Sequence, residues 1–215
     1  EDNGAVFVPA GLWQRPHYYP RGGEAMADAV NREVLAVREN VAIVDVSTLG
    51  RIDLHGVDVA EFLNRVYING FKTLAIGMCR YGVMLRDDGM IFDDGTVAHM
   101  GDNHYIMTTT TANAGPVMAH LEYYLQVVWP DLDVRLTSIT DQWAVVAVAG
   151  PQSRALLENL DSDMEFANQA LPFMGWRAGE IGNIAAQVFR ISFSGELAYE
   201  MAVPSDHGHA LWEML

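Results

Sequence analysis

Basic residues, cysteine and long apolar runs are all scarce in this chain of 215 residues. The sequence has 13 Lys and Arg against 28 Asp and Glu, which gives a formal net charge of −15. This balance argues against a nucleic-acid surface, which needs a stripe of basic side chains, and against binding to anionic membranes. An acidic surface mostly favours solubility. No apolar run approaches the roughly 18 residues of a membrane span, and no secretory signal is visible at the start.

Cys79 is the only cysteine, which excludes an internal disulfide and a structural zinc site built from cysteines. This cysteine usage is typical of a reducing compartment, and we predict a cytoplasmic location. The histidines are scattered, and alternate positions such as His207 and His209 do not share a helix face, so we predict no metal site. The motifs of phosphate-binding loops, dinucleotide-binding loops, zinc proteases and serine hydrolases are also absent.

Short loops between most predicted strands predict an α+β fold, with mainly antiparallel sheets and flanking helices. Apolar periodicity predicts helices over 24–39, from a cap at Asp58, over 112–128, after Gly150 and from about Ser205. Strands are predicted over 41–46, 52–54, 81–85, 90–98, 104–109, 134–139, 142–149, 187–194 and 197–203. The aromatic-rich and proline-rich stretch up to Gly23 is interpreted as an extended arm, with packing of its rings on the core as the simpler alternative.

The length suits one large domain or two small ones. Residue 1 is not Met, and the chain stops inside the last predicted helix without a stop signal, so we expect a fragment of a longer polypeptide. We therefore treat 1–215 as one truncated region. Within it we expect two subdomains, one formed by 1–50 with 140–215 and the other by 51–139.

Two adjacent carboxylates, Asp93 and Asp94, lie inside a predicted strand, where acidic residues are disfavoured. Asp88 and Gly89, just before them, form a signal for a hairpin turn. Successive strand residues point to opposite faces, so one of the two carboxylates must face whatever the strand covers. A carboxylate in that position needs a partner, and a ligand is one candidate.

Glu200 and the four threonines at 108–111 are further candidates for a ligand site. Glu200 follows an aromatic residue in a predicted strand, where a solvated strand edge is the simpler interpretation. Threonine hydroxyls suit a polar pocket, but the run also fits a strand end followed by a helix cap. Two carboxylates and an aromatic side chain can hold a flat, amine-rich ring, because a carboxylate accepts paired N–H donors while the aromatic stacks.

The chain resembles the aminomethyltransferase family, whose glycine-cleavage T-protein fold binds tetrahydrofolate. The resemblance rests on four motifs that occur in the same order along the chain as in the family. The family patterns are D-V-S-H-M-G, G-G-x-x-D-D, Q-G-P and Y-T-G-E-x-G-[YF]-E. The matching segments here are 45–50 (DVSTLG), 89–94 (GMIFDD), 150–151 (GP) and 194–200 (SGELAYE). The resemblance covers nearly the whole chain and implies the family's folate-binding fold without its C-terminal barrel domain.

This resemblance also implies roles for individual residues. The family's catalytic aspartate falls on Asp94, and its pterin-binding glutamate falls on Glu200. A tyrosine that packs against the pterin ring becomes Phe193, whereas the tyrosine of the strand before the D-D pair is retained as Tyr81. The remaining expected folate contacts depart from the family pattern and fall on Leu49, Thr108, Thr109 and Thr110.

A finer resemblance is to the branch of this family in the alpha subunits of heterotetrameric sarcosine oxidases. It rests on segments 79–85, 108–111, 124–134 and 142–145. It implies that a flavin in a partner subunit oxidises sarcosine and that this region captures the one-carbon unit as 5,10-methylenetetrahydrofolate. The implied partners are folate, the other subunits and the rest of the alpha chain, with FAD, FMN and NAD bound elsewhere and no nucleic acid or membrane.

Two alternatives stay open at this point. One is a free-standing folate-dependent aminomethyltransferase or demethylase. The other is a non-catalytic scaffold domain of an oxidase complex.

Overall fold

The computed structural model describes residues 4–215. Its strands are β1 (Val6–Ala10), β2 (Trp13–Tyr18), β3 (Ala42–Asp45), β4 (Gly50–His55), β5 (Cys79–Leu85), β6 (Ile91–Gly101), β7 (His104–Thr109), β8 (Arg135–Ser138), β9 (Trp143–Ala149), β10 (Trp176–Ile181), β11 (Ile184–Phe189) and β12 (Ala198–Pro204). Its helices are α1 (Met26–Glu39), α2 (Val59–Val66), α3 (Ala114–Tyr123), α4 (Ser153–Glu158) and α5 (Gly208–Met214).

Within residues 4–215 the strands form two five-stranded sheets and a separate β1–β2 hairpin. Sheet I has the order β5-β6-β7-β4-β8, and sheet II has the order β10-β11-β12-β9-β3. Every strand pairing in both sheets is antiparallel, which confirms the predicted α+β class. Sheet I is built from 50–138 and sheet II from 42–45 with 143–204; the division into subdomains stays a prediction.

Helices pack against one face of each sheet, and a separate apolar core lies between each sheet and its helices. Leu54 of sheet I belongs to a cluster with Phe62 of α2 and Leu121 of α3, and all three are fully buried. Tyr199 of sheet II belongs to a second cluster with Leu211 of α5. Full burial of side chains of this size contributes about 1.5–3 kcal/mol each. Each cluster thus occupies one face of its sheet, and the opposite face of each sheet is available to pack against the other sheet.

The two remaining faces pack against each other. Cys79 and Ala98 of sheet I share a small buried cluster with Val145, Phe189 and Ala202 of sheet II. Strands alternate their side chains, so neighbours of these residues at even spacing also point between the sheets. The space between the sheets is therefore where polar side chains of both can converge.

The predicted turn at Asp88 and Gly89 is confirmed. Gly89 has a φ of 80°, which glycine adopts without strain, and the Asp88 carboxylate accepts the backbone N–H of Met90 at 3.0 Å. In the β5–β6 ladder, Met84 pairs with Asp93 while Leu85 pairs with Ile91, so Phe92 forms a β-bulge. Beyond that bulge the pairing is regular across the two carboxylates.

The predicted arm at the start of the chain is a β-hairpin instead. Its first three residues lie outside the described part of the chain, and β1 then pairs with β2. The chain reverses at Gly11 and Leu12, where Gly11 has a φ of 61°. A two-residue turn of this kind brings the strands together, so the segment does not run on as a single extended piece.

Asp58 precedes helix α2 as predicted, but its side chain does not cap the helix. The carboxylate instead accepts the backbone N–H of Asp133 at 2.9 Å. The loop before β8 passes beside the start of the helix and takes this acceptor. Tertiary contact has overridden the local capping preference.

Strand β10 was missed by the sequence patterns, and the hairpin after it is shifted. Gly182 and Asn183 both have positive φ and turn β10 into β11, which ends at Phe189 and not at the predicted residue 194. After Phe189 the Ser192 hydroxyl binds the backbone carbonyl of Glu196 at 2.6 Å. Such local hydrogen bonds compete with a strand ladder, so the connection to β12 is a loop.

The predicted helix over 112–128 divides into α3 and a π-helical turn over Tyr124–Val128. Among the residues that the structure describes, no helix combines the length and apolar character needed to cross a membrane.

Candidate functional site

Asp93 and Asp94 point to opposite faces of β6. Asp93 faces the helix-covered core and is 4% exposed. Its carboxylate accepts the Thr110 hydroxyl at 2.6 Å, the Thr110 backbone N–H at 3.2 Å and the Asn113 side-chain amide at 3.2 Å. The buried carboxylate therefore has the partners that were predicted for it, and they are protein groups and not the ligand that was one candidate.

Asp94 faces the other way, toward the side of sheet I that meets sheet II. The Tyr81 hydroxyl donates a hydrogen bond to the Asp94 carboxylate at 2.9 Å. This hydrogen bond, with a smaller contribution from burial, raises the pKa of Tyr81. Tyr81 is 49% exposed, so the pair lies where a solute can reach it. Within residues 4–215 no other side-chain hydrogen bond reaches Asp94, which leaves it free to accept further donors.

A small, closely packed cavity lies between the sheets, with room for about one water molecule. Its walls are formed by Arg51, Thr96, Ala98, Ile106 and Thr108 from sheet I and by Phe189, Ile191 and Glu200 from sheet II and the loop after it. We call this space the inter-sheet cavity. Asp94 lies two residues before Thr96 on the same strand and so points to the same side of sheet I.

Glu200 is the carboxylate of this cavity. It lies on β12 directly opposite Phe189 of β11, and no side chain within residues 4–215 donates a hydrogen bond to it. Burial raises its pKa, and the positive charge of Arg51 acts in the opposite direction. A carboxylate with raised pKa and no donor is suited to accept N–H groups from a ligand.

Arg51 is the cation of the cavity, and the sequence analysis did not identify it. It is 4% exposed, donates to the Gln187 side-chain oxygen at 3.1 Å and stacks on the rings of Trp143 and Phe189. Its Nε has no hydrogen-bond partner within the described chain. Burial lowers its pKa to about 10. The sequence did contain a signal for it. Arg51 directly precedes Ile52, and Ile52 and Leu54 alternate with polar residues as in a strand, so Arg51 had to lie on the strand face opposite to these apolar side chains.

The threonine run divides between the two sides of sheet I. Thr108 faces the cavity, where its hydroxyl lies 3.0 Å from the hydroxyl of Thr96. Thr109 is 2% exposed on the opposite face, and Thr110 binds Asp93. Of the three predicted threonine contacts, the structure brings only Thr108 to the cavity.

Two further predicted contacts lie apart from the inter-sheet cavity. Phe193 is fully exposed in the loop between β11 and β12. Leu49 is partly buried in the turn before β4, where its backbone N–H bonds to the carbonyl of Val46 at 3.1 Å. Roles for both in ligand binding stay predictions.

The two predicted carboxylates come from opposite walls of the interface: Glu200 of sheet II lines the cavity, whereas Asp94 of sheet I lies outside its lining. Asp94 lies near the accessible edge beside a phenol, and Glu200 lies deeper beside hydroxyls, a guanidinium and an aromatic ring. The cavity has room for about one water molecule, so a ring reaches Glu200 only when the cavity walls move apart. The polar groups around it can pair with N–H groups of a heterocycle, and Asp94 can take part in proton transfer at the edge.

Comparison with known proteins identifies relatives of this chain. The chain is 51% identical to the sarcosine oxidase subunit alpha of Rhizobium meliloti (strain 1021) over 99% of its length, and 50% identical to that of Corynebacterium sp. (strain U-96) over 98%. It spans 22% of the length of each. The fold matches the glycine cleavage system aminomethyltransferase T of Bartonella henselae with a TM-score of 0.81 and 25% identity, over 99% of this chain and 54% of that one.

The family model described as the GCVT N-terminal domain matches residues 1–215. The aminomethyltransferase fold expected from the sequence motifs is thus confirmed, and the chain belongs to the GCVT N-terminal domain family.

Proposed function

We propose that this chain is the tetrahydrofolate-binding module of a sarcosine oxidase, in which the one-carbon unit released from oxidised sarcosine is captured as 5,10-methylenetetrahydrofolate. The observation that carries the proposal is the 51% and 50% identity with two sarcosine oxidase alpha subunits over nearly the whole chain. The Glu200 carboxylate, which has no side-chain donor in the described chain and lies in a cavity of mixed polar and apolar lining, supports a ligand with N–H donors.

Tetrahydrofolate supplies an amine nucleophile when it is bound. Glu200 accepts N–H groups of the pterin ring, and the Thr96 and Thr108 hydroxyls offer further hydrogen bonds beside it. Asp94 accepts the proton that the amine loses during capture, and Tyr81 holds the Asp94 carboxylate in place. The two sheets contribute positioning, because each holds one of the two carboxylates on the face that meets the other sheet.

The same proposal assigns the partners and the compartment. The name of the relatives includes "subunit alpha", which supports assembly with other subunits and with the remainder of the longer chain. Flavins and NAD then bind in those other parts. The single cysteine and the net charge of −15 support a cytoplasmic protein without a nucleic-acid partner.

The experiment that tests this function uses the complete oxidase assembly that contains this chain. The assembly is given sarcosine with and without tetrahydrofolate, and formaldehyde and methylenetetrahydrofolate are quantified. We expect methylenetetrahydrofolate to form faster than free formaldehyde and folate combine in solution. Release of formaldehyde alone at an unchanged rate would favour a scaffold domain, and activity without the flavin subunits would favour a free-standing aminomethyltransferase.

Replacement of Glu200 by Gln should change folate affinity and the stability of the fold in opposite directions. Folate affinity should fall about 10-fold or more, because one hydrogen-bonded charge is lost. Since the pKa of Glu200 is raised in the folded protein, its ionised form destabilises the fold at neutral pH. The variant should therefore unfold at a higher temperature than the wild type at pH 7, and this difference should vanish as the pH falls below the ordinary pKa of a glutamate.

Glu180→Gln is the matched control, because Glu180 is an exposed carboxylate on another strand of the same sheet. Titration calorimetry with tetrahydrofolate and thermal melts at two pH values give both readouts. Equal folate affinity in Glu200→Gln and in the wild type would remove Glu200 from the site.

A further inference from the structure

A second cluster of polar side chains lies on strands β4 and β7, apart from the two carboxylates of the folate site. His55 and His104 are direct partners in the β4–β7 ladder. Asp53 lies two residues before His55, so all three side chains project from the same face of sheet I. The scattered positions of the histidines in the sequence conceal this cluster, because the strand pairing brings His104 across 48 intervening residues to His55.

The three side chains converge on one point. His104 Nε2 lies 2.6 Å from one Asp53 carboxylate oxygen, and His55 Nε2 lies 3.0 Å from the other. The two imidazole rings are stacked, with centroids 4.0 Å apart and planes inclined by 14°. One donor atom from each residue lies within 4.8 Å of the others. Two nitrogen ligands and one oxygen ligand are thus held together by rigid strands.

We propose that Asp53, His55 and His104 form a binding site for a divalent transition metal, with Zn²⁺ as the preferred ion. Two neutral imidazoles and a carboxylate are a donor set that zinc accepts, with bonds of about 2.0–2.2 Å, and water takes the fourth position. Imidazole nitrogen disfavours Mg²⁺ and Ca²⁺, which take oxygen ligands. The ion takes the position between the two Nε2 atoms and the Asp53 carboxylate, where it replaces their direct contacts.

The surroundings of the cluster permit entry of an ion. The side chains of Asp53, His104 and His55 are 22%, 32% and 50% exposed. The neighbouring cation, Arg135, is opposite His55 in the ladder but directs its guanidinium toward Asp133 at 3.4 Å. Arg51, two residues before Asp53 on the same face of β4, interacts with the Asp53 charge from the buried side. The Asp53 carboxylate is the anionic group of the cluster, and the exposed His55 side gives the ion a path to solvent.

Binding at this position links the two strands that carry walls of the inter-sheet cavity. Arg51 lies two residues before Asp53 on β4, and Thr108 lies four residues after His104 on β7. A metal that joins β4 to β7 holds these strands in register next to the folate site. The metal site itself is independent of the proposed folate function, since it rests on different side chains.

The test uses the complete protein, treated with chelator and dialysed, with Zn²⁺ alone as the probe in competition with a chromogenic chelator. We expect His104→Gln and His55→Gln to bind one zinc equivalent fewer than the wild type, or to bind it at least about 100-fold more weakly. His207→Gln is the control, because His207 is an exposed histidine beside a different aspartate. It should retain the wild-type stoichiometry.

Two readouts protect the test from a folding defect. Co²⁺ substituted for zinc should give visible absorption bands in the wild type and in His207→Gln only, and zinc should raise the unfolding temperature of those two proteins only. His55 is the more exposed ligand, so His55→Gln decides the outcome if His104→Gln misfolds. Equal zinc binding by all variants, or none by the wild type, would overturn the proposal and leave an aspartate that bridges two histidines by hydrogen bonds.

Discussion

Asp94→Ala is expected to slow folate-dependent one-carbon transfer by about 100- to 10,000-fold, the usual contribution of a positioned general base. Oxidation of sarcosine should keep its rate, because the proposal places that chemistry in other parts of the assembly. The product should therefore revert from methylenetetrahydrofolate to formaldehyde. Asp94 is half-buried and has one side-chain donor within the described chain, Tyr81, so its removal should leave the fold largely intact.

The measurement follows both products in the complete assembly supplied with sarcosine and tetrahydrofolate. Asp94→Asn keeps an oxygen for the Tyr81 hydroxyl but cannot take a proton, so it should resemble Asp94→Ala in rate. Asp102→Ala is the control, because Asp102 is an exposed aspartate in the turn between β6 and β7. Transfer at the wild-type rate in both Asp94 variants would show that this carboxylate is not the base.

Asp93→Ala should lower the free energy of unfolding by about 3–5 kcal/mol, because hydrogen bonds to a charged group contribute about 1.5–3 kcal/mol each and their buried donors lose their acceptor. Three donors from Thr110 and Asn113 converge on this carboxylate. The substitution thus leaves a cavity and unpaired polar groups between β6 and the start of α3. It is the largest stability effect that we expect from a single side chain here.

Urea unfolding of the complete chain, followed by near-ultraviolet circular dichroism, measures this loss as a shift of the midpoint. The neighbouring Asp94→Ala is the natural comparison, and we expect it to change stability by less than about 1 kcal/mol, as for surface positions. A similar loss in both variants would contradict the division of the pair into one structural and one functional carboxylate.

The sequence predicted the local features that depend on neighbouring residues. The turn at Asp88 and Gly89 follows from a positive φ that glycine supplies, and the alternation of β6 required Asp93 and Asp94 to face opposite sides. It could not determine which of the two faces the core. That choice depends on Thr110 and Asn113, which approach from a later strand and helix.

The features that sequence reasoning missed depend on contacts between distant segments. Arg51 faces the cavity because Trp143, Phe189 and Gln187 of the other sheet surround its guanidinium. Asp58 binds a loop 75 residues away instead of its own helix. A periodicity argument contains only local information, and tertiary packing overrides it at these positions.

The opposite orientations of Asp93 and Asp94 restrict how this chain can change length during evolution. A strand repeats every two residues, so one residue gained or lost within β6 beside the pair would exchange the buried carboxylate and the half-buried carboxylate. Such a change would impair folding and chemistry together, whereas substitutions impair them separately. We therefore expect insertions and deletions to be tolerated at the exposed hairpin tip around Gly89, which the β-bulge at Phe92 separates from the regular ladder.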